Sequence, residues 1–214
     1  MRIKICGITQ SARGNEIVRL GATALGFICV ERSPRYVTPQ KIKTIVADLA
    51  FPADTIGVFA DAEISEIKEI VSLTGITGVQ LHGAESPQFC QQLKNELPPG
   101  IEIIKAFRIK NKESLANTAI YTEYVDTLLL DAYHPQMLGG TGHTLDWSDL
   151  QQFQPSIPWI LAGGLTSDNV ATALRQLKPD GIDLSSGVER SPGDKDLGKV
   201  TQLFQVLKKQ PIIL

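Results

Sequence analysis

The strongest constraint on this chain is an alternation that runs its whole length. Short apolar or β-branched runs, RIKIC, ALGFICV, TIGVFA, GVQLHG, EIIKAF, DTLLLDA, PWILAGG and GIDLSSG, begin at Arg2, Ala24, Thr55, Gly78, Glu102, Asp126, Pro158 and Gly181. Segments with helical spacing lie between them. Thr38-Pro39 reads as a cap followed by proline, then Ile42, Ile45, Val46 and Leu49 on one face. Ser86-Pro87 repeats the device before Phe89, Cys90, Leu93 and Leu97, which makes Cys90 a packing residue. Ile64, Ile67, Ile70 and Val71 form another stripe, as do Val170, Ala173, Leu174 and Leu177, and then Leu197, Val200, Leu203 and Leu207. Residues 10–20, with Gly14, and the segments 113–120 and 146–151 are weak helices by propensity.

Strands separated by helices pair in parallel, because each crossover returns the chain to the same end of the sheet. Eight such repeats predict a closed (β/α)8 barrel, lean at 214 residues against the usual 250 or so. The alternative is an open doubly wound sheet, but the GxGxxG expected after its first strand is absent. No Pro/Gly/Ser-rich linker divides the chain, so the expectation is one domain over residues 1–214.

Basic and acidic residues number 21 and 23 and are scattered, which argues against nucleic acid, an anionic membrane or a charged disordered tail as partner. A small molecule is the expected partner. Cys6, Cys29 and Cys90 show no CxxC pairing, which fits a reducing compartment. The first residues form a strand rather than a signal-like stretch, and no apolar run reaches the roughly 18 residues of a membrane span. The expectation is a cytoplasmic protein.

In such a barrel, functional groups lie at the carboxyl ends of the strands and in the loops that follow. That rule nominates Cys6, Arg35, Asp61, His82, Arg108, Asp131, Gly163-Gly164 and Ser185-Ser186-Gly187. The loops AGGLTSDNV and LSSGVERSPGDKD follow strands seven and eight, the recurrent phosphate location of this architecture. Their glycines let backbone N–H groups approach an anion closely, although glycines also serve plain tight turns. Arg35, in ERSPRYVTP, is either a bidentate carboxylate clamp or a solvated surface group. Asp131 ends an apolar strand, where burial would raise its pKa and keep it available as an acid, or where it caps the next loop. Cys6 is either a small packing residue or a thiol at the mouth of a site. His82 reads as a base, a metal ligand or a ring satisfied by its neighbours. His134 and His143 share a glycine-rich loop, AYHPQMLGGTGHTLDW, and no His/carboxylate spacing makes a convincing metal site. Residues 132–145 of that loop are a lid candidate.

KICGIT, SPRYV, VQLHG, KAFR, LLLDA followed by GGTGHTLDW, LAGGL with DNV, and GIDLSSGVERSPGDKD together resemble phosphoribosylanthranilate isomerase of tryptophan biosynthesis, in unbroken order from Lys4 to Lys195. The resemblance implies a cofactor-free Amadori rearrangement of N-(5-phosphoribosyl)anthranilate to 1-(2-carboxyphenylamino)-1-deoxyribulose 5-phosphate, by a monomer or homodimer. It implies Cys6 as general base, Asp131 as general acid, Arg35 on the anthranilate carboxylate and Asp183 at the ribose hydroxyls. Phosphate would then rest near Gly163, Gly164, Ser185, Ser186 and Gly187, with no metal. Related sugar-phosphate barrels would differ visibly. An indole-glycerol-phosphate synthase would carry an essential lysine pair and an N-terminal extension, and a pentose-phosphate epimerase metal-binding His and Asp at strand ends. From another class, a non-catalytic phosphometabolite-binding barrel would not require both Cys6 and Asp131.

Overall fold

The computed structural model describes residues 1–109, 111–132 and 150–209. Eight parallel strands close into a barrel in chain order, the first pairing both the second and the eighth. They are β1 (Arg2–Cys6), β2 (Ala24–Ile28), β3 (Asp54–Phe59), β4 (Gly78–Leu81), β5 (Glu102–Ile109), β6 (Thr127–Ala132), β7 (Trp159–Ala162) and β8 (Gly181–Leu184). The helices described are α1 (Ser11–Leu20), α2 (Pro39–Ala47), α3 (Ile64–Thr74), α4 (Pro87–Glu96), α5 (Lys112–Ala116), α6 (Val170–Gln176) and α7 (Leu197–Lys208).

The caps read from sequence form as expected. Thr38 and Ser86 accept the Lys41 and Phe89 N–H groups, and proline fills the first helical position of α2 and α4. Four helices each bury one stripe on the barrel: Ile42 and Ile45 from α2, Ile67, Ile70 and Val71 from α3, Cys90 and Leu93 from α4, Val200, Leu203, Phe204 and Leu207 from α7. Each such Leu or Ile contributes roughly 1.5–3 kcal/mol of transfer free energy.

Helix α1 is a regular ten-residue helix despite its weak propensity. Tertiary contacts decide it. Ile17 and Val18 are buried, and the Asn15 amide donates to Asp48 O (2.9 Å) and accepts from Ala50 N (2.7 Å), tying α1 to the end of α2. The segment 113–120 divides into α5 and a 3-10 turn at Ala119–Tyr121.

The barrel's two sheet faces differ in character. Ile3 and Ile5 of β1 face outward into the helix-packed core, so Arg2, Lys4 and Cys6 are on the interior row. Farther in, Ile56, Ile104, Ala106, Leu129, Ile160 and Ala162 pack as an apolar cluster of their own. At the amino end of the strands Arg2 donates to both Glu102 carboxylate oxygens (2.7 Å each) and pairs with Asp54 (3.0 Å). The Thr127 hydroxyl closes this plug through Glu102 (2.7 Å). The remaining interior row, at the carboxyl end, is the one that opens.

Candidate active site

A cavity of about 270 Å³ opens at the carboxyl ends of the strands. Cys6, Arg35, His82, Asp131, Asp183, Gly163, Gly164, Ser185, Ser186 and Gly187 all line it, joined by Gln80. Asp61 and Arg108 do not. They line a neighbouring depression of about 430 Å³ beside Arg32, Glu85 and Lys105, with His82 on the rim of both. There Asp61 takes a left-handed conformation (φ 57°) while its Oδ1 accepts the Ala84 N–H (2.6 Å) and its own N–H donates to Glu85 (3.0 Å), so it joins two loops.

Cys6 ends β1 and is 6% exposed, and in register it faces Gly26 of β2. Burial pushes its thiol above the ordinary cysteine range. The Lys4 and Lys195 ammonium groups pull against that, and the Asp183 carboxylate adds to it. Asp183, on β8, accepts from Lys4 Nζ through Oδ2 (2.9 Å), while its buried Oδ1 has no hydrogen-bond partner.

Asp131 is the last residue but one of β6, and its side chain is 34% exposed, so the burial expected for a residue after LLL does not occur. All three leucines are buried, Leu128 and Leu130 outward and Leu129 in the interior cluster, and Asp131, on the interior row beyond Leu129, reaches the open cavity mouth. His82 Nε2 lies 3.8 Å from Asp131 Oδ2, and the Gln80 amide is 3.0 Å from His82 Nδ1. His82 thus has a polar side chain near each of its ring nitrogens. Among the described residues no group of three or more His, Cys, Asp or Glu could hold a metal ion. His134, His143 and all but the first residue of the lid candidate 132–145 lie outside the described residues.

Arg35 stands on the loop between β2 and α2, and one edge of its fork is already occupied. Nε and Nη2 donate to Glu189 at 3.0, 3.1 and 2.6 Å. The end-on edge at Nη1 is what remains for a second carboxylate. Glu189 begins a hairpin after strand eight, β9 (Glu189–Ser191) with β10 (Asp194–Lys195), and it also accepts from Lys195 Nζ (2.7 Å). Burial pushes the Glu189 carboxyl up, but hydrogen bonds from Arg35 and Lys195 overcome it and hold the group at about 2.

Lys195 is 1% exposed and also donates to Ser185 O (3.2 Å), placing a positive charge directly behind the loop that follows β8. Gly163 and Gly164 have φ of 97° and 63°, conformations that a residue with a Cβ rarely adopts. Asn169 fixes that turn by donating to Gly164 O (2.9 Å) and accepting from Thr166 N (2.8 Å). A Cβ on Gly187 would overlap the Leu165 carbonyl oxygen, so glycine there lets the two loops close on each other.

Lys4, Gln80, Glu189 and Lys195 are the site residues that sequence reasoning passed over. Lys4 stands two positions before Cys6 on β1, and Gln80 of β4 two positions before His82, the residue just past that strand, so strand alternation was the available signal. Glu189 and Lys195 carried none, because VERSPGDKD reads as an exposed charged loop until the hairpin folds inward.

The comparisons with known proteins point to one family. The family model described as N-(5′-phosphoribosyl)anthranilate (PRA) isomerase matches residues 3–206. N-(5′-phosphoribosyl)anthranilate isomerases of Rippkaea orientalis and Nostoc punctiforme are 61% and 63% identical, covering 98% and 97% of this chain and 97% and 98% of their own. The crystal structure of phosphoribosyl anthranilate isomerase from Thermotoga maritima superposes with a TM-score of 0.87 at 33% identity over 98% of this chain and 100% of that one. A phosphoribosyl anthranilate isomerase in complex with reduced 1-(o-carboxyphenylamino)-1-deoxyribulose 5-phosphate gives 0.84 at 31% identity with the same coverage. This chain therefore belongs to the N-(5′-phosphoribosyl)anthranilate isomerase family.

Proposed function

We infer that the general acid and base of this isomerase of tryptophan biosynthesis are Asp131 and Cys6. The substrate is N-(5′-phosphoribosyl)anthranilate and the product 1-(2-carboxyphenylamino)-1-deoxyribulose 5-phosphate. The observation that carries the assignment is that Cys6, Asp131, Arg35, Asp183 and both glycine loops, contributed by β1, β6, β7, β8 and the loop after β2, line one cavity.

Asp131 delivers a proton to the ring oxygen as the anomeric C–O bond breaks and the nitrogen lone pair forms the iminium ion. The thiolate of Cys6 then removes the proton on the adjacent carbon, and the electron pair flows into the iminium nitrogen to give an enolamine. Loss of the proton on the C2 oxygen and protonation of C1 complete the ketose. The iminium cation itself favours the thiolate at the step that needs it, adding to Lys4 and Lys195 against the burial that holds the thiol protonated. The unpartnered Asp183 Oδ1 supports its place at the ribose hydroxyls, since a buried acceptor without a donor is costly until a ligand supplies one. The free edge of Arg35 takes the anthranilate carboxylate. Phosphate sits against Gly163, Gly164, Ser185, Ser186 and Gly187, with the Lys195 charge behind Ser185.

The test is to add purified protein to freshly prepared phosphoribosylanthranilate and follow the anthranilate-group fluorescence. Catalysed loss of substrate fluorescence, abolished jointly by Cys6→Ser and Asp131→Asn, is the expected result. Undiminished turnover in either variant would move that role to another residue.

A further inference from the structure

Lys4 has no role in the acid–base scheme, yet its side chain is completely buried and ionic. Strand alternation places it on the same interior row as Cys6, two residues earlier on β1. The β1–β8 register sets Lys4 opposite Asp183, whose Oδ2 accepts from Nζ at 2.9 Å. The β1–β2 register sets Cys6 opposite Gly26. A Cβ at Gly26 would lie 2.6 Å from Cys6 Sγ and 3.1 Å from Lys4 Nζ, so the amine and the thiol flank the same small space, which is open because residue 26 has no side chain. An ammonium has three donors and Asp183 takes one.

We propose that Lys4 is a positioning residue whose ammonium is the fixed counter-ion of the Cys6 thiolate, aimed by Asp183 and given room by Gly26. This rests on Cys6 being the base.

The charges facing Cys6 favour Lys4 for this part. Lys4 opposes the burial of the thiol most strongly, and it remains charged, because Asp183 and Cys6 outweigh its own burial and hold it above the usual lysine range. Lys195, from the hairpin, helps less, being engaged with Glu189 and Ser185. Arg35, from the β2–α2 loop, is also within electrostatic range but is paired with Glu189. Cys29, just past β2, is neutral near pH 7, since burial pushes its thiol up to about 12. Asp183 has two opposed effects: it holds Lys4 in place and it disfavours a second negative charge on Cys6.

The experiment is the pH dependence of Cys6 alkylation by iodoacetamide, read by peptide mass spectrometry, in the wild type, Lys4→Met, Asp183→Asn and the double variant. Lys4→Met should move the Cys6 midpoint up by about one pH unit or more, about tenfold less thiolate at a given pH below it. Asp183→Asn should move it down. The double variant removes both buried charges, so it keeps the comparison usable if Lys4→Met alone folds poorly. It should titrate well above Asp183→Asn. Equal midpoints in the double variant and Asp183→Asn would overturn the proposal, as would an unshifted Lys4→Met. The ascending limb of kcat/KM should move with the alkylation midpoint. A midpoint that moves while that limb stays put would support the Lys4–Cys6 coupling and remove Cys6 as the base.

Discussion

Lowering the pH should undo the Arg35–Glu189–Lys195 network at a defined place, and replacing Glu189 by Gln isolates the effect. In the folded protein the Glu189 carboxyl is held at about 2 against an ordinary 4.5. Its folded-state pKa is depressed, so the linked stability is fully present above about pH 4.5 and is lost as pH falls through about 2. The displacement corresponds to at most about 3 kcal/mol, an upper figure because the Arg35 partner is 23% exposed. Removing one member of a buried pair costs a similar amount, roughly 3–5 kcal/mol. The assay is urea unfolding of wild type and Glu189→Gln at several pH values, followed by circular dichroism. The wild type should be more stable by about 2–3 kcal/mol at neutral pH, with the gap closing toward pH 2. A gap that does not depend on pH, or no gap at all, would refute the claim that Arg35 and Lys195 hold this carboxylate ionised. Glu189→Gln should also raise KM, since Arg35 would lose the contact that aims its free edge.

Cys6→Ser should bind substrate and lose on the order of 10²–10⁴ in kcat, and iodoacetamide should modify Cys6, which lines the open cavity, ahead of Cys29 and Cys90, which do not line it. Alkylation that begins at either of those would make Cys6 a packing residue. Asp131→Asn should lose about 10²–10⁴ in kcat with unchanged unfolding, because its side chain is one-third exposed and supports little packing; a large drop in stability would point to a structural role instead. Arg35→Lys should raise KM, since an ammonium cannot serve Glu189 and a substrate carboxylate from two edges of one plane. An unchanged kcat/KM would place the carboxylate elsewhere.

The barrel was legible in the sequence because its cause is local: period-two runs and period-3.6 stripes alternate, and two helix starts carry a cap followed by proline, Thr38-Pro39 and Ser86-Pro87. Position along each repeat then located Cys6, Asp131 and the two glycine loops, since carboxyl ends of strands open on one side of the barrel. What the sequence could not carry was which polar residues share an interior. Arg2 and Lys4 alternate with Ile3 and Ile5 along β1 and nothing local places them inside, whereas closure of β1 onto β8 turns their face inward and sets Lys4 against Asp183, 179 residues away. The same holds for Glu189 and Lys195, charged residues in an apparently exposed loop until the hairpin folds them against Arg35. It holds in reverse for Asp131, which follows three leucines yet keeps solvent contact because the cavity opens there. Periodicity along the chain is set by each residue's own backbone geometry. The partners and burial of an ionised group are set by strands far apart in sequence, so only the closed tertiary structure decides them.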